Sequence, residues 1–327
     1  MLGTLTLPLS ALELRDAVRQ ARRIDPARLD RVLRVDEGRG HVEAQASASW
    51  EGIVGRFDGT HAQALAAWRG LGTIGEALEA NAPGPDGRPV AIHVESLALV
   101  TPDGELRRVS RECHPELFRL VLGGHGIFGA LYSATLCLGS LAEATRSFAV
   151  EERLELPACG APRRSLELLV PPAALPAFLA EARERCDAWR MPIELVGVRR
   201  TMADRETALC WAKHEYAAVR LELAERRTLG GSVRATQVVR ELLDLAIALG
   251  GSFPIAGTPE ATREQLERCY PELKGLLAEK RRMDPADRLE NGWYLHHRGL
   301  LAAERCDSRW NGAPATAPCT APARSPD

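Results

Sequence analysis

Two hydrophobic periods alternate along this chain, and each marks the kind of element it belongs to. Leu14, Ala17, Val18 and Ala21 recur every three or four positions behind Ser10-Ala11-Leu12-Glu13, a capping box with Ser10 as N-cap and Glu13 reaching back. The spacing predicts a helix ending near Arg23, with a strand over residues 4–7 before it. β-rich runs at 31–35 and 41–46 flank the turn 36–40, and residues 49–57 and 62–68 are helical in pattern. Residues 94–100 and 105–109 around Thr101-Pro102-Asp103-Gly104 predict a hairpin. Further on, strands are expected at 146–156, 164–170, 193–199 and 216–223, with helices at 172–189, 233–249 and 258–283. That β-β-α-β-β-α order fits an antiparallel sheet with helices on one face. The fold class expected is α+β.

One stretch combines these signals, His114 to Leu138, reading HPELFRLVLGGHGIFGALYSATLCL. Pro115 suits a first helical turn, and Leu117, Phe118, Leu120 and Val121 give it an apolar face. Gly123 and Gly124 follow where a helix ends, Gly126 and Gly129 bracket a tight loop, and the last nine residues predict a strand. Gly124-His125-Gly126-Ile127-Phe128-Gly129 satisfies G-x-G-x-x-G as text. A nicotinamide fingerprint needs a strand before the glycines and a helix after them, and here the order is reversed. Two readings remain: a helix C-cap followed by a bulge, or bare backbone against which a flat or charged cofactor lies.

The same stretch resembles the end of the FAD-binding domain of the vanillyl-alcohol-oxidase (PCMH-type) flavoproteins, most nearly the branch of sugar and alditol oxidases and decaprenylphosphoryl-ribose oxidase. Gly72-Thr73-Ile74-Gly75-Glu76-Ala77-Leu78-Glu79-Ala80-Asn81 is similar to that family's T-x-G-G-A-L-A-A-N phosphate segment. The hairpin around Thr101–Gly104 and the run from Asp284-Pro285 to Asn291-Gly292-Trp293-Tyr294 resemble two further family segments. The resemblance implies a PCMH-type FAD-binding domain over residues 1–140 and an antiparallel-sheet substrate domain over 141–283. A return segment over 284–301 would follow, and the Ala/Pro/Cys/Ser-rich composition beyond it predicts a disordered tail over 302–327. It implies FAD contacts at Thr73, Ile74, Gly75, Ala77, Asn81, Gly126, Phe128, Gly129 and Leu131, and substrate-lining roles for Asn291, Trp293 and Tyr294. The implied activity is FAD-linked oxidation of an alcohol or sugar-like CH–OH group in a small-molecule substrate.

The chain also departs from this pattern. The family places a strand and a glycine-rich loop, often bearing a flavin-linked histidine, where Arg22-Arg23-Ile24-Asp25-Pro26 stands here. A second shortening falls between Leu138 and Arg164. Glu76 replaces a glycine and Pro83 a histidine. FAD is therefore expected to be non-covalent and weak, and the competing expectation is a cofactor-free descendant acting as a binding or scaffold protein.

Composition narrows the picture mainly by exclusion. A formal net charge of −2 gives no electrostatic case for nucleic acid or an anionic membrane. The eight cysteines show neither C-x-x-C nor zinc-ligand spacing, so no metal is expected. No signal-peptide pattern opens the chain and no apolar run reaches membrane-spanning length, which makes the cytoplasm the expected location. G-x-S-x-G, Walker A and H-E-x-x-H motifs are missing, and no motif marks a catalytic base.

Overall fold

The computed structural model describes residues 5–146, 163–225 and 228–302. Strand β1 (Leu5–Thr6) leads into α1 (Ala11–Arg19), where the Ser10 hydroxyl accepts from Glu13 N at 3.3 Å and Glu13 Oε2 accepts from Leu9 N at 2.9 Å. The helix stops four residues before the position its periodicity suggested. Ala21 takes a left-handed φ of +47°, and the turned chain then forms β2 (Arg23–Ile24), which pairs in parallel with β1. The short β2 thus stands where the sequence offered only a bridge.

Next come β3 (Val32–Asp36), β4 (His41–Gln45), α2 (Trp50–Val54), α3 (Gly59–Ala64) and α4 (Ile74–Glu79). They are followed by β5 (Val94–Val100), β6 (Leu106–Ser110), α5 (Pro115–Val121), β7 (Ala130–Cys137) and α6 (Leu138–Arg146). Five of these strands form one antiparallel sheet in the order β3-β4-β7-β5-β6, so β7 pairs centrally with Ala134 opposite both Ala44 and Leu97. The domain boundary expected at residue 140 falls inside α6.

β8 (Arg163–Val170), α7 (Leu175–Ala188), β9 (Ile193–Thr201), β10 (Tyr216–Ala224) and α8 (Leu229–Ala248) follow. The three strands make a second antiparallel sheet, β8-β10-β9, against which α8 packs. The architecture is therefore mixed α and β with antiparallel sheets. The single helix expected at 258–283 is two, α9 (Arg263–Cys269) and α10 (Leu273–Met283), because Pro271 has no N–H to carry the ladder through. Helix α11 (Gly292–Ala302) ends the described chain. Most of the strand expected at 146–156, and all but the first residue of the tail expected at 302–327, lie outside the described residues.

Apolar faces of both sheets share one buried cluster, with Leu97 and Ala134 at one end and Leu168 and Val219 at the other. Between them the β9–β10 connection grips α4. Asp204, almost fully buried, accepts from Asn81 Nδ2 at 2.9 Å, from the N–H groups of Glu206 and Thr207, and from the Thr207 hydroxyl. Burying a carboxylate is tolerable only with partners of this number.

A second buried charge turns the chain back. The Lys280 ammonium and the Asp284 carboxylate are paired beneath the Tyr294 ring, both essentially without solvent exposure. Burial pushes the Asp284 carboxyl upward, but Lys280 and the N–H groups of Leu289 and Arg288 outweigh it and hold the carboxyl below its ordinary value. The resulting turn carries Leu289 into a small core with Leu14, Val18, Leu29 and Val100, while Arg288 Nη1 donates to Pro102 O at 2.8 Å. Residues 284–291 therefore pack on the first sheet.

Asp284→Ala leaves the Lys280 ammonium buried without its counter-charge and should cost about 3–5 kcal/mol in urea denaturation. Lys280→Met combined with Asp284→Ala should recover part of that loss. Equal losses in the single and double variants would mean that the charge pairing does not hold the turn.

Candidate functional site

Segments far apart in sequence lie around one cleft of about 530 Å³. Thr73, Gly75 and Glu76 at the start of α4, Glu79 at its end, and Gly126, Gly129 and Leu131 line two sides. Arg22, Arg23 and Asp25 line a third, and Arg288, Glu290 and Asn291 close it. A second hollow of equal volume lies among the 101–107 turn, α5 and α10, but its charges are spent on each other, Arg107 on Asp103 and Arg282 on Glu279.

The N-terminus of α4 explains what the cleft can offer. Thr73 and Glu76 form a capping box, with Thr73 N donating to Glu76 Oε2 at 3.1 Å and Glu76 N to Thr73 Oγ1 at 3.3 Å. Ile74 N donates to Ala48 O at 2.9 Å, Gly75 N to Ala46 O at 2.6 Å, and Ala77 N to Thr73 O at 3.2 Å. The donors that a phosphate would need are already bonded within the protein. A Cβ on Gly75 would lie 2.9 Å from Ala46 O, so this glycine permits a close approach of backbone to backbone. Gly124 and Gly129 are bare for similar reasons, because added Cβ atoms would collide with Leu120 O and with the Leu99 side chain. Gly126 differs, since it has a φ of +74° and faces the Glu79 carboxylate at the cleft wall.

Of the residues singled out by sequence, Thr73, Gly75, Gly126, Gly129, Leu131 and Asn291 line the cleft. Ile74, Ala77 and Phe128 do not; they are buried in the core, because the apolar face of α4 and the strand-entry loop must cover the five-stranded sheet. Asn81 lies on the far side of the 123–126 loop, beside a separate apolar cavity of about 160 Å³. Its own polar atoms serve Asp204, Ala91 N and, through the backbone carbonyl, Trp211 Nε1. Tyr294 is fully buried, with its hydroxyl donating to Asp287 Oδ1 at 3.1 Å. Trp293 stacks on His125 with ring centroids 4.2 Å apart, and Asn291 Nδ2 donates to His125 O at 2.6 Å.

Sequence reasoning did not single out Arg22, Arg23, Glu79 or Arg288 as cleft residues. Arg22 and Arg23 belong to the short 22–26 bridge, whose sequence carries no motif that marks a site. Burial, with the nearby charge of Glu76, pushes the Glu79 carboxyl up to about 7. Burial pushes His125 down to about 3, with His297 adding to the effect, so its ring is neutral at ordinary pH.

Comparison of the chain with protein-family models and with curated proteins finds no match in either. Among the described residues no helix is long and apolar enough to cross a membrane.

Glu79 gives a pH-dependent expectation. Its folded-state pKa lies above the unfolded one, so the folded state holds the extra proton between about 4.5 and about 7 and stability falls as pH rises through that window. Glu79→Gln should therefore stabilise the protein at pH 8, and the gain should vanish by pH 4.5. A gain independent of pH would remove burial of the charge as its cause. His125 and His93, the latter pushed down to about 4 chiefly by burial, work in the opposite direction. Unfolded chains take up these protons first, so stability should fall as pH drops below about 6.5, by roughly 1.4 kcal/mol for each unit by which a pKa differs. Thermal melts from pH 7 to 4 on wild type and His93→Gln should show a shallower acid loss in the variant.

Proposed function

We propose that this chain is an FAD-linked oxidoreductase of the PCMH type, acting on an alcohol or sugar-like CH–OH group, with the cofactor held weakly and without a covalent bond. The observation that carries the reading is convergence: segments far apart in sequence, around 73–79, 126–131 and 288–291, bound one cleft of a size common for ligand sites. Gly126, Gly129 and Leu131 line the side of that cleft against which a flat ring would lie. FAD, when bound, would supply a hydride acceptor for the CH–OH carbon. The chain's own share is to orient rings against that wall and to exchange a proton at the Glu79 carboxylate near neutral pH.

The fit to the diphosphate is different in kind. The backbone donors at the start of α4 are engaged, and Glu76 adds a negative charge beside them. These facts favour a second reading, a cofactor-free binding protein on the same scaffold.

A titration of the purified protein with FAD, followed by flavin fluorescence, separates the two. Weak saturable binding is expected. Glu76→Gln should tighten it roughly tenfold, because the amide can still cap Thr73 N while the carboxylate's repulsion is removed from an exposed, screened position. No saturation at high FAD in either protein would discard the oxidoreductase reading in favour of the cofactor-free one.

A further inference from the structure

Every backbone donor at the start of α4 is satisfied by protein, yet three arginines from two other segments line the same cleft. Arg22 and Arg23 lie at the entry to β2 and are exposed; Arg288, half-buried, stands on the returning segment. Arg288 spends one nitrogen on Pro102 O, and among the described residues none of the three has an ion pair with a carboxylate. By contrast, nearly every other charge close by is engaged. Asp25 Oδ1 accepts from Ala27 N, Glu76 caps α4, and Glu290 lies 3.9 Å from Arg298. Glu79 completes the charged lining.

We infer that the cleft takes a diphosphate-bearing nucleotide through the side chains of Arg22, Arg23 and Arg288, in place of backbone donors. This rests on the proposed function only in the choice of site; the ligand chemistry follows from the unpaired arginines. Guanidinium groups bind phosphate oxygens in a bidentate, charge-assisted manner and need neither a glycine loop nor a helix N-terminus. The short 22–26 bridge therefore exchanges one mode of phosphate recognition for another. Because three arginines share the cleft with Asp25, Glu76, Glu79 and Glu290, the site discriminates against phosphate when all four carboxylates are ionised. Affinity should accordingly be higher at pH 6, where Glu79 holds its proton, than at pH 8.5, and should fall with added salt.

The test is calorimetric titration of the full chain with ADP, FAD and riboflavin, on wild type, on Arg22→Ala with Arg23→Ala, and on Arg22→Lys with Arg23→Lys. Circular dichroism would first establish that all three fold alike. ADP should bind wild type, lose roughly tenfold or more in the alanine pair, and be largely retained in the lysine pair, which keeps the charge. Riboflavin, lacking phosphate, should respond equally to all three proteins. If ADP binds but FAD does not, the arginine site stands and the flavoprotein reading falls. If FAD binds equally well to wild type and the alanine pair, the flavoprotein reading stands and the arginine site is wrong. Failure of both ADP and FAD to bind wild type at millimolar concentration overturns the inference as well.

Discussion

The Asp284 carboxylate is the constraint on which the cleft depends. It is buried with Lys280 and takes the N–H groups of Arg288 and Leu289, so four residues around one turn are fixed by a single side chain. A charge buried this deeply persists only with its partners in place, so the turn is held in one geometry. Leu289 then seals the small core beside α1, and Arg288 and Asn291 are set as the closing wall of the cleft. Asn291 carries the constraint one step further, to the carbonyl of His125 in the glycine loop.

Backbone hydrogen bonding sets the second limit. Helix α4 starts beside the 46–48 segment, and Ala46 and Ala48 take the N–H groups that a helix N-terminus otherwise leaves free. The capping box takes two more. An arrangement that satisfies every donor is favourable for folding and leaves nothing with which to cradle an anion. The glycines obey the same logic. Gly75, Gly124 and Gly129 are required by neighbouring protein atoms, so their presence follows from close packing as well as from any ligand. What distinguishes the cleft chemically is its charged lining, three arginines from two segments together with Glu79 and its neighbouring carboxylates.

The two sheets are joined by polar groups as well as by apolar burial. Asp204 is held by Asn81 and by its own loop, and Trp211 reaches the Asn81 carbonyl. Gly87 admits the chain close to Arg200, with Met202 N donating to its carbonyl at 2.8 Å. Asn81 is thus a structural link between the end of α4 and the β9–β10 connection, despite its place in a cofactor-like pattern.

Local pattern was enough for much of the secondary structure. The capping box at Ser10–Glu13, the 94–109 hairpin and the strand after Gly129 could be read from periodicity and turn residues, because those signals act over a few positions, and the antiparallel character of the second sheet from the order of its elements. Helix ends were less legible: a left-handed Ala21 and the Pro271 break changed elements whose apolar spacing ran on past them. Site residues divided along the same line. Gly126 and Thr73 line the cleft, whereas Ile74, Ala77 and Phe128 in the same motifs, and Tyr294 in the 284–294 segment, face the core. Sequence spacing gives the order of side chains along an element but not which face the rest of the chain covers. Only the tertiary structure decided that Arg22, Arg23, Glu79 and Arg288 share one cleft, because their proximity depends on a return across more than 260 residues that a buried ion pair holds in place.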